Sequence, residues 1–178
     1  APTITNTDQT PTFTEDGSAV AIAHTDFAID LVESGQTVST LVFTVTKVTD
    51  SGEVLAIDGS SLDLLDDGGS GTTTDTGYDY AIAYNAGTDT STVTLSSLSL
   101  SAAAAATLVK SITYENTSQD PTADDRVVSI EVVDSGSNTG SNDNTTTEQL
   151  NTITVAAVND APTITNTDQT PTFTEDGS

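Results

Sequence analysis

Leu41-Val42-Phe43-Thr44-Val45-Thr46 is a short segment in which large apolar residues alternate with mostly smaller or polar ones. Successive side chains of a β-strand point to opposite faces, so this alternation predicts a strand with one face in a hydrophobic core. Three further segments alternate in the same way, at residues 80–84, 128–133 and 152–157. Patterns of this kind dominate the chain and predict an all-β fold.

Turn signals separate the alternating segments. Glycine follows a small polar or acidic residue at several places, which favours tight turns: Ser51-Gly52, Asp58-Gly59, Asp67-Gly68, Ser135-Gly136 and Thr139-Gly140. Many short strands joined by turns predict an antiparallel β-sandwich. We expect one short connecting helix at residues 102–110, capped by Ser101, and flexible loops at residues 68–77 and 135–147.

The opening segment of the chain returns unchanged at its end, because residues 161–178 repeat residues 1–18. We interpret residues 1–160 as one module of a tandem array and residues 161–178 as the opening strand of the next, identical module. Such arrays usually provide reach, since each module contacts only its neighbours. Two roles stay open for residues 161–178: strand swapping onto the sheet edge of another molecule, or a loosely held tail.

The charge balance is strongly acidic. Asp and Glu number 27 against Lys47, Lys110 and Arg126, and the net charge is −24. No basic patch exists to meet phosphates, so we expect no binding to nucleic acid or to an anionic membrane surface. No apolar run approaches the roughly 20 residues of a membrane-spanning helix. Two interpretations of the acidic residues stay open: solubility in a salty medium, and coordination of divalent cations such as Ca²⁺.

The segment that leads into the second copy reads Val155-Ala156-Ala157-Val158-Asn159-Asp160-Ala161-Pro162. It resembles the linker of cadherin and bacterial cadherin-like repeats, in which Asn-Asp-(Asn)-Ala-Pro joins one sandwich to the next. Residues 12–15, 30–33, 124–126 and 132–136 resemble, in the same order, the calcium-binding elements of those repeats. The stretch from Ile112 through Pro121 to Arg126 is similar to the tandem repeats of large RTX-type bacterial surface adhesins, which type I systems secrete.

The resemblance implies a cadherin-like or immunoglobulin-like sandwich that binds Ca²⁺ where adjacent identical repeats meet. At the C-terminal end of a module the implied ligands are Glu15, Asp125, Asn159 and Asp160. At the N-terminal end they are Asp30, Glu33 and Asp134. Calcium there would neutralise repelling carboxylates and stiffen the linker. The implied function is a structural extender repeat that projects a distal adhesive domain from the cell surface into the extracellular space, without enzymatic activity.

The sequence also departs from that family in three places. Val127 stands where the Glu of the Asp-Arg-Glu element is expected, which removes one ligand. An extra residue separates Asp30 from Glu33. The module is longer than a typical cadherin repeat, which places an insertion between Glu53 and Leu100.

Single residues and short motifs bear on other functions. Tyr78, Tyr80, Tyr84 and Tyr114 are either a carbohydrate-binding or self-binding platform or, as their alternation favours, part of the sheet faces. Asp66, Asp67, Asp75 and Asp79, like Asn142-Asp143-Asn144, form either an additional ion site or solvated acidic loops. His24 is the lone histidine, and no cysteine accompanies it, so a typical zinc site is not expected. No Gly-x-Ser-x-Gly motif supports a hydrolase.

Overall fold

The computed structural model of the chain describes residues 1–136 and 143–170. Over these residues the fold is an all-β sandwich with one short helix, as the sequence predicts. The strands are β1 (Thr3–Thr5), β2 (Thr12–Thr14), β3 (Val20–Ala21), β4 (Ala28–Asp30), β5 (Val38–Thr46), β6 (Glu53–Ile57), β7 (Ser60–Asp63), β8 (Ser70–Thr72), β9 (Asp79–Asn85), β10 (Thr90–Ser96), β11 (Thr113–Asn116), β12 (Asp125–Asp134) and β13 (Thr145–Ala156). The helix, α1 (Ala102–Ser111), lies between β10 and β11.

Two sheets form the sandwich. The larger has the strand order β2-β13-β12-β5-β10-β9-β8, and the smaller has the order β3-β11-β6-β7. Strands β1 and β4 pair separately with each other. Among the described residues, every strand pair is antiparallel except β2 with β13, which run parallel. Strand β2 lies at the edge of the larger sheet and follows Pro11 directly, a position that suits a residue with no N–H to donate to a sheet.

The core lies between the two sheets. Leu41, Phe43 and Val45 of β5 are fully buried, whereas Val42 and Thr44 between them are only partly buried. The alternation read from the sequence is therefore confirmed. Their counterparts on the smaller sheet include Leu55 and Ile57 of β6 and Tyr114 of β11. A direct inter-sheet contact joins the rings of Phe13 and Tyr114, whose centroids lie 5.9 Å apart in an edge-to-face arrangement.

Helix α1 crosses from the larger sheet to the smaller one. It begins after Ser101, whose side chain accepts a hydrogen bond of 3.2 Å from the N–H of Ala104, as an N-cap should. Ala105, Ala106 and Val109 form its buried face. The predicted helix and its cap are both confirmed. Within the part of the chain that the structure describes, no helix is long and apolar enough to cross a membrane.

The loop predicted at residues 68–77 is partly wrong, because residues 70–72 form β8 and pair with β9. The physical reason is a close approach at Gly71, where a Cβ atom would lie 3.1 Å from the hydroxyl of Tyr80. Absence of a side chain at position 71 lets the tyrosine lie against the added strand. The other predicted loop covers residues 135–147. Residues 137–142 lie outside the described residues, and residues 145–147 belong to β13, so the loop ends earlier than predicted.

The chain enters and leaves the module at opposite ends. Strand β12 spans 10 residues from Asp125 to Asp134, a length of about 33 Å. Ala1 lies near Asp134, in the same pocket, at what we call the N-terminal end of the module. Thr154, two residues before β13 ends, pairs with Asp125 at what we call the C-terminal end. Residues 161–170 beyond it are exposed and belong to no strand, so their role as an opening strand stays a prediction.

Candidate functional site

Glu15 is the best-defined acidic residue at the C-terminal end. Its N–H donates to the carbonyl of Ala156 at 2.9 Å, which continues the parallel pairing of β2 with β13. Its Oε2 accepts a hydrogen bond of 2.7 Å from the N–H of Val158 in the linker. The residue is only 5% exposed, and its Oε1 is buried with no hydrogen-bond partner. A buried carboxylate oxygen without a partner is costly, so this atom marks a position that favours a cation.

The other three residues predicted at this end are placed differently. Asp125 precedes the inward-pointing Arg126 and faces outward, where its Oδ1 accepts a hydrogen bond of 2.8 Å from the Thr154 hydroxyl. Asn159 and Asp160 are exposed in the linker, and the Asn159 amide donates to the Asp160 carbonyl. The structure brings all four residues to one end of the module. It places the two carboxylates differently, however, because Glu15 is buried whereas Asp125 is exposed.

A pocket of about 280 Å³ lies at the N-terminal end beside Ala1. Glu33 and Asp134 line it, as the predicted grouping requires, and Gln36 and Asp143 line it as well. Asp134 is 4% exposed and its Oδ1 accepts a hydrogen bond of 2.6 Å from the N–H of Gly136. The pocket therefore holds three carboxylates from separate segments of the chain.

Two of the residues at this end differ from expectation. Asp30 does not line the pocket, and its Oδ1 accepts the N–H of Val32 at 3.0 Å. From the sequence, Asp143 is predicted only as part of a solvated acidic loop or of an additional ion site. In the structure it lines the pocket. Hydrogen bonds from the N–H and the hydroxyl of Thr145 hold the pKa of the Asp143 carboxyl below its usual value. Among the described residues, no three Asp, Glu, His or Cys side chains already sit at the spacing of a complete metal site.

A buried ionic network is the feature that the sequence analysis missed. Arg126 and Glu53 are both fully buried, and the guanidinium donates to the carboxylate through Nε at 2.8 Å and through Nη2 at 3.0 Å. Nη2 also donates to Asp50 at 3.2 Å, and Nη1 donates to the carbonyls of Thr122 and Asp124. Bidentate pairs of this kind are stronger and more directional than single hydrogen bonds between neutral groups.

The acceptors of the network are equally well satisfied. Glu53 receives further hydrogen bonds from the N–H groups of Thr49 and Asp50, both at 2.9 Å, and from the Tyr114 hydroxyl at 2.7 Å. Asp50 receives the Asn116 amide and both the N–H and the hydroxyl of Thr122. The network therefore fixes the loop 117–124, which leads to Asp125 at the C-terminal end.

Protonation equilibria reflect this network. Burial would raise the pKa of the Asp50 carboxyl, but hydrogen bonds from Thr122 and Asn116 and the charge of Arg126 outweigh it, so the pKa is lowered. Burial and the neighbouring Glu53 carboxylate raise the pKa of the Tyr114 hydroxyl well above its usual range. Burial would lower the pKa of Arg126, yet hydrogen bonding and charge from Glu53 raise it.

The tyrosines, the acidic group around Asp67 and His24 all contact other residues of the fold. The Tyr84 hydroxyl donates to the Val48 carbonyl at 3.0 Å, Tyr114 is buried, and Tyr78 and Tyr80 are partly buried against the core. In the acidic group of Asp66, Asp67, Asp75 and Asp79, Asp67 accepts the N–H of Tyr84 at 3.1 Å. His24 lies 2.5 Å from Asp26, which also accepts a hydrogen bond from Thr7. These contacts favour the structural interpretation of the tyrosines.

Comparison with protein-family models, with curated proteins and with solved structures gives no match for this chain. The function is therefore argued from the geometry of the residues described above.

The buried ion pair gives a first prediction. Arg126→Met should lower the free energy of unfolding by about 3–5 kcal/mol, because Glu53 is left buried without its counter-charge. Adding Glu53→Gln should recover part of that loss, since the uncompensated charge is removed. Urea denaturation of both variants measures the difference.

Lys47→Met provides the matched control, because Lys47 pairs with Asp124 at 2.6 Å on the surface and is 53% exposed. We expect this variant to lose less than about 1 kcal/mol. Equal losses for Arg126→Met and Lys47→Met would show that the buried pair does not hold the sheets together.

Asp50 gives a prediction about pH. Its pKa is lowered in the folded protein, so its contribution to stability is complete above the unfolded pKa of about 4 and disappears as pH falls through the lower folded value. Asp50→Asn should therefore cost about 1.5–3 kcal/mol at pH 7, the range for hydrogen bonds to charged groups. The difference from the wild type should shrink below about pH 4.

Thr122→Val tests the cause of that shift, because it removes the hydroxyl that donates to Asp50 at 2.6 Å and keeps the side-chain shape. We expect a smaller loss with the same pH dependence. Denaturation curves at several pH values measure both variants. A pH-independent difference for Asp50→Asn would contradict the assignment.

Proposed function

We propose that this chain is a spacer module of a tandem array, the extender repeat of a secreted bacterial surface adhesin stiffened by Ca²⁺ between modules. One support is the position of the two chain ends. The chain enters beside Asp134 and leaves beside Asp125, at opposite ends of β12. Modules joined through residues 159–161 would therefore continue head to tail. The 12 residues of β13 correspond to about 40 Å of added length per module.

The acidic residues support calcium at the joint. The single observation that carries this part of the proposal is the buried Glu15 carboxylate, whose Oε1 has no partner while its Oε2 is held at the linker. Calcium takes six to eight oxygen ligands, from carboxylates, amides and carbonyls. Glu15 would supply one of these oxygens at the start of the linker.

The pocket at the N-terminal end would face the same joint. Asp160 directly precedes Ala161, and Ala161 is the counterpart of Ala1. In an array, the Asn159-Asp160 of one module would therefore come just before the Ala1 counterpart of the next, beside Glu33, Asp134 and Asp143. Carboxylates from two modules would meet there and repel each other without a cation.

The alternative function, recognition of carbohydrate or of another copy, has less support. The four tyrosines that were its main candidates are buried or partly buried against the core.

The proposal also includes the location of the protein. A calcium-stiffened array of this kind belongs outside the cell, at its surface, where modules of low affinity for Ca²⁺ work at millimolar concentrations.

The proposal is tested by calcium binding to a chain of two modules, residues 1–160 in tandem. Isothermal titration calorimetry should detect Ca²⁺ binding that Glu15→Gln in both modules weakens by at least about tenfold, equivalent to 1.4 kcal/mol. The amide keeps the shape of Glu15 but loses the charge that attracts the ion.

Glu131→Gln is the matched control, since Glu131 lies within β12, does not line the pocket and undergoes the same chemical change. We expect it to bind Ca²⁺ as the unmodified protein does. Binding that is absent, or that both variants reduce equally, would remove calcium from the joint.

A further inference from the structure

We propose that the module bears tension, and that the parallel pairing of β2 with β13 is the element that resists it. The inference rests on the proposed spacer function, because a spacer attached at both ends is pulled by its ends. It concerns β2, the second strand of the module, and β13, the last, which lie side by side in one sheet. No metal ion takes part in it.

The hydrogen bonds of this pairing extend beyond the short strand β2. Pairing begins at Gln9, which forms a parallel bridge with Asn151 and accepts the Thr152 N–H at 2.9 Å. The Pro11 carbonyl accepts the N–H of Thr154 at 3.0 Å. Registered pairs follow at Thr12 with Thr154, Phe13 with Val155 and Thr14 with Ala156.

Side chains extend the same contact at both ends. The Asn6 amide donates to the Leu150 carbonyl at 2.8 Å, and the Asn151 side chain accepts the Gln9 N–H at 3.1 Å. At the other end, Glu15 donates to Ala156 and accepts from Val158. Residues 6–15, which include β2, are therefore hydrogen-bonded to β13 and the start of the linker, over residues 150–158.

The direction of the strands determines how these bonds are loaded. Tension on β2 acts toward the N-terminal end, and tension on β13 acts toward the C-terminal end. Because the two strands are parallel neighbours, opposite forces make them slide past each other. All the bonds between them then share the load and must break together. Had both strands been pulled from the same end, the bonds would open one after another.

The buried side chains on these strands add to the resistance. Phe13 is 1% exposed and Val155 is 2% exposed, and they lie opposite each other in the register. Sliding the strands would withdraw Phe13 from its contact with Tyr114 on the smaller sheet. The pairing of β2 with β13 is therefore held by packing in the core as well as by hydrogen bonds.

Single-molecule pulling on the full chain tests the inference by changing only the direction of force. The chain contains no cysteine, so attachment at introduced cysteines is specific. One chain carries Ala1→Cys and Thr170→Cys, and is pulled across the module. The second carries Ser18→Cys and Thr170→Cys, and its β2 and β13 are pulled from the same end. All three positions are exposed, and circular dichroism confirms that both chains fold.

At equal force, we expect the first chain to unfold about a hundredfold more slowly than the second. Each net hydrogen bond is worth roughly a factor of five in rate, and three or more must break together in the first geometry. Equal unfolding rates in the two geometries, or faster unfolding of the first chain, would overturn the inference.

The measurement is made with a chelator present, so that it does not depend on the proposed calcium site. Loss of calcium binding would leave the ratio of rates unchanged. Equal rates would in turn leave the calcium titration unaffected. The two proposals therefore fail separately.

Discussion

The buried pair of Arg126 and Glu53 is the interaction on which the organisation of this module depends. Arg126 belongs to β12 in the larger sheet and Glu53 to β6 in the smaller one, so their two hydrogen bonds join the sheets across the core. Desolvation offsets much of the Coulombic attraction of such a pair, so its main contribution is to fix one arrangement of the groups around it. Here it fixes the turn that carries Asp50 and the loop that leads to Asp125.

The few basic residues of the chain lie unevenly between the two ends of the module. The chain has three basic residues against 27 acidic ones, and two of the three, Lys47 and Arg126, bind carboxylates or loops near the C-terminal end. The carboxylates Glu33, Asp134 and Asp143 at the N-terminal end have no basic side chain among the residues that line their pocket. In the proposed array these carboxylates would repel those of the preceding linker unless cations from the medium lay between them, which is why the proposal links calcium to stiffness.

Much of the fold was accessible from the sequence, and the limits have physical causes. Alternation predicted β5, β9, β12 and β13, and the N-cap at Ser101 predicted α1, since both are local properties. Strand β8 was missed because its pairing depends on the contact of Gly71 with Tyr80. Arg126 occupies a core-facing position in an alternating strand, which was a usable signal, but its partner Glu53 lies 73 residues away. In the candidate site, the resemblance implied an end of the module for each acid. It did not show that Asp125 is exposed while Glu15 is buried, that Asp30 does not line the pocket, or that Asp143 does.

Small-angle X-ray scattering from two modules in tandem would measure the length and the stiffness of the array together. With Ca²⁺, we expect a rod whose longest dimension is about 80 Å or more, as two modules of about 40 Å placed end to end require. With a chelator, we expect a broader and shorter distribution of distances, because the carboxylates at the joint repel each other and the linker bends. Identical scattering with and without Ca²⁺ would contradict the claim that calcium stiffens the array.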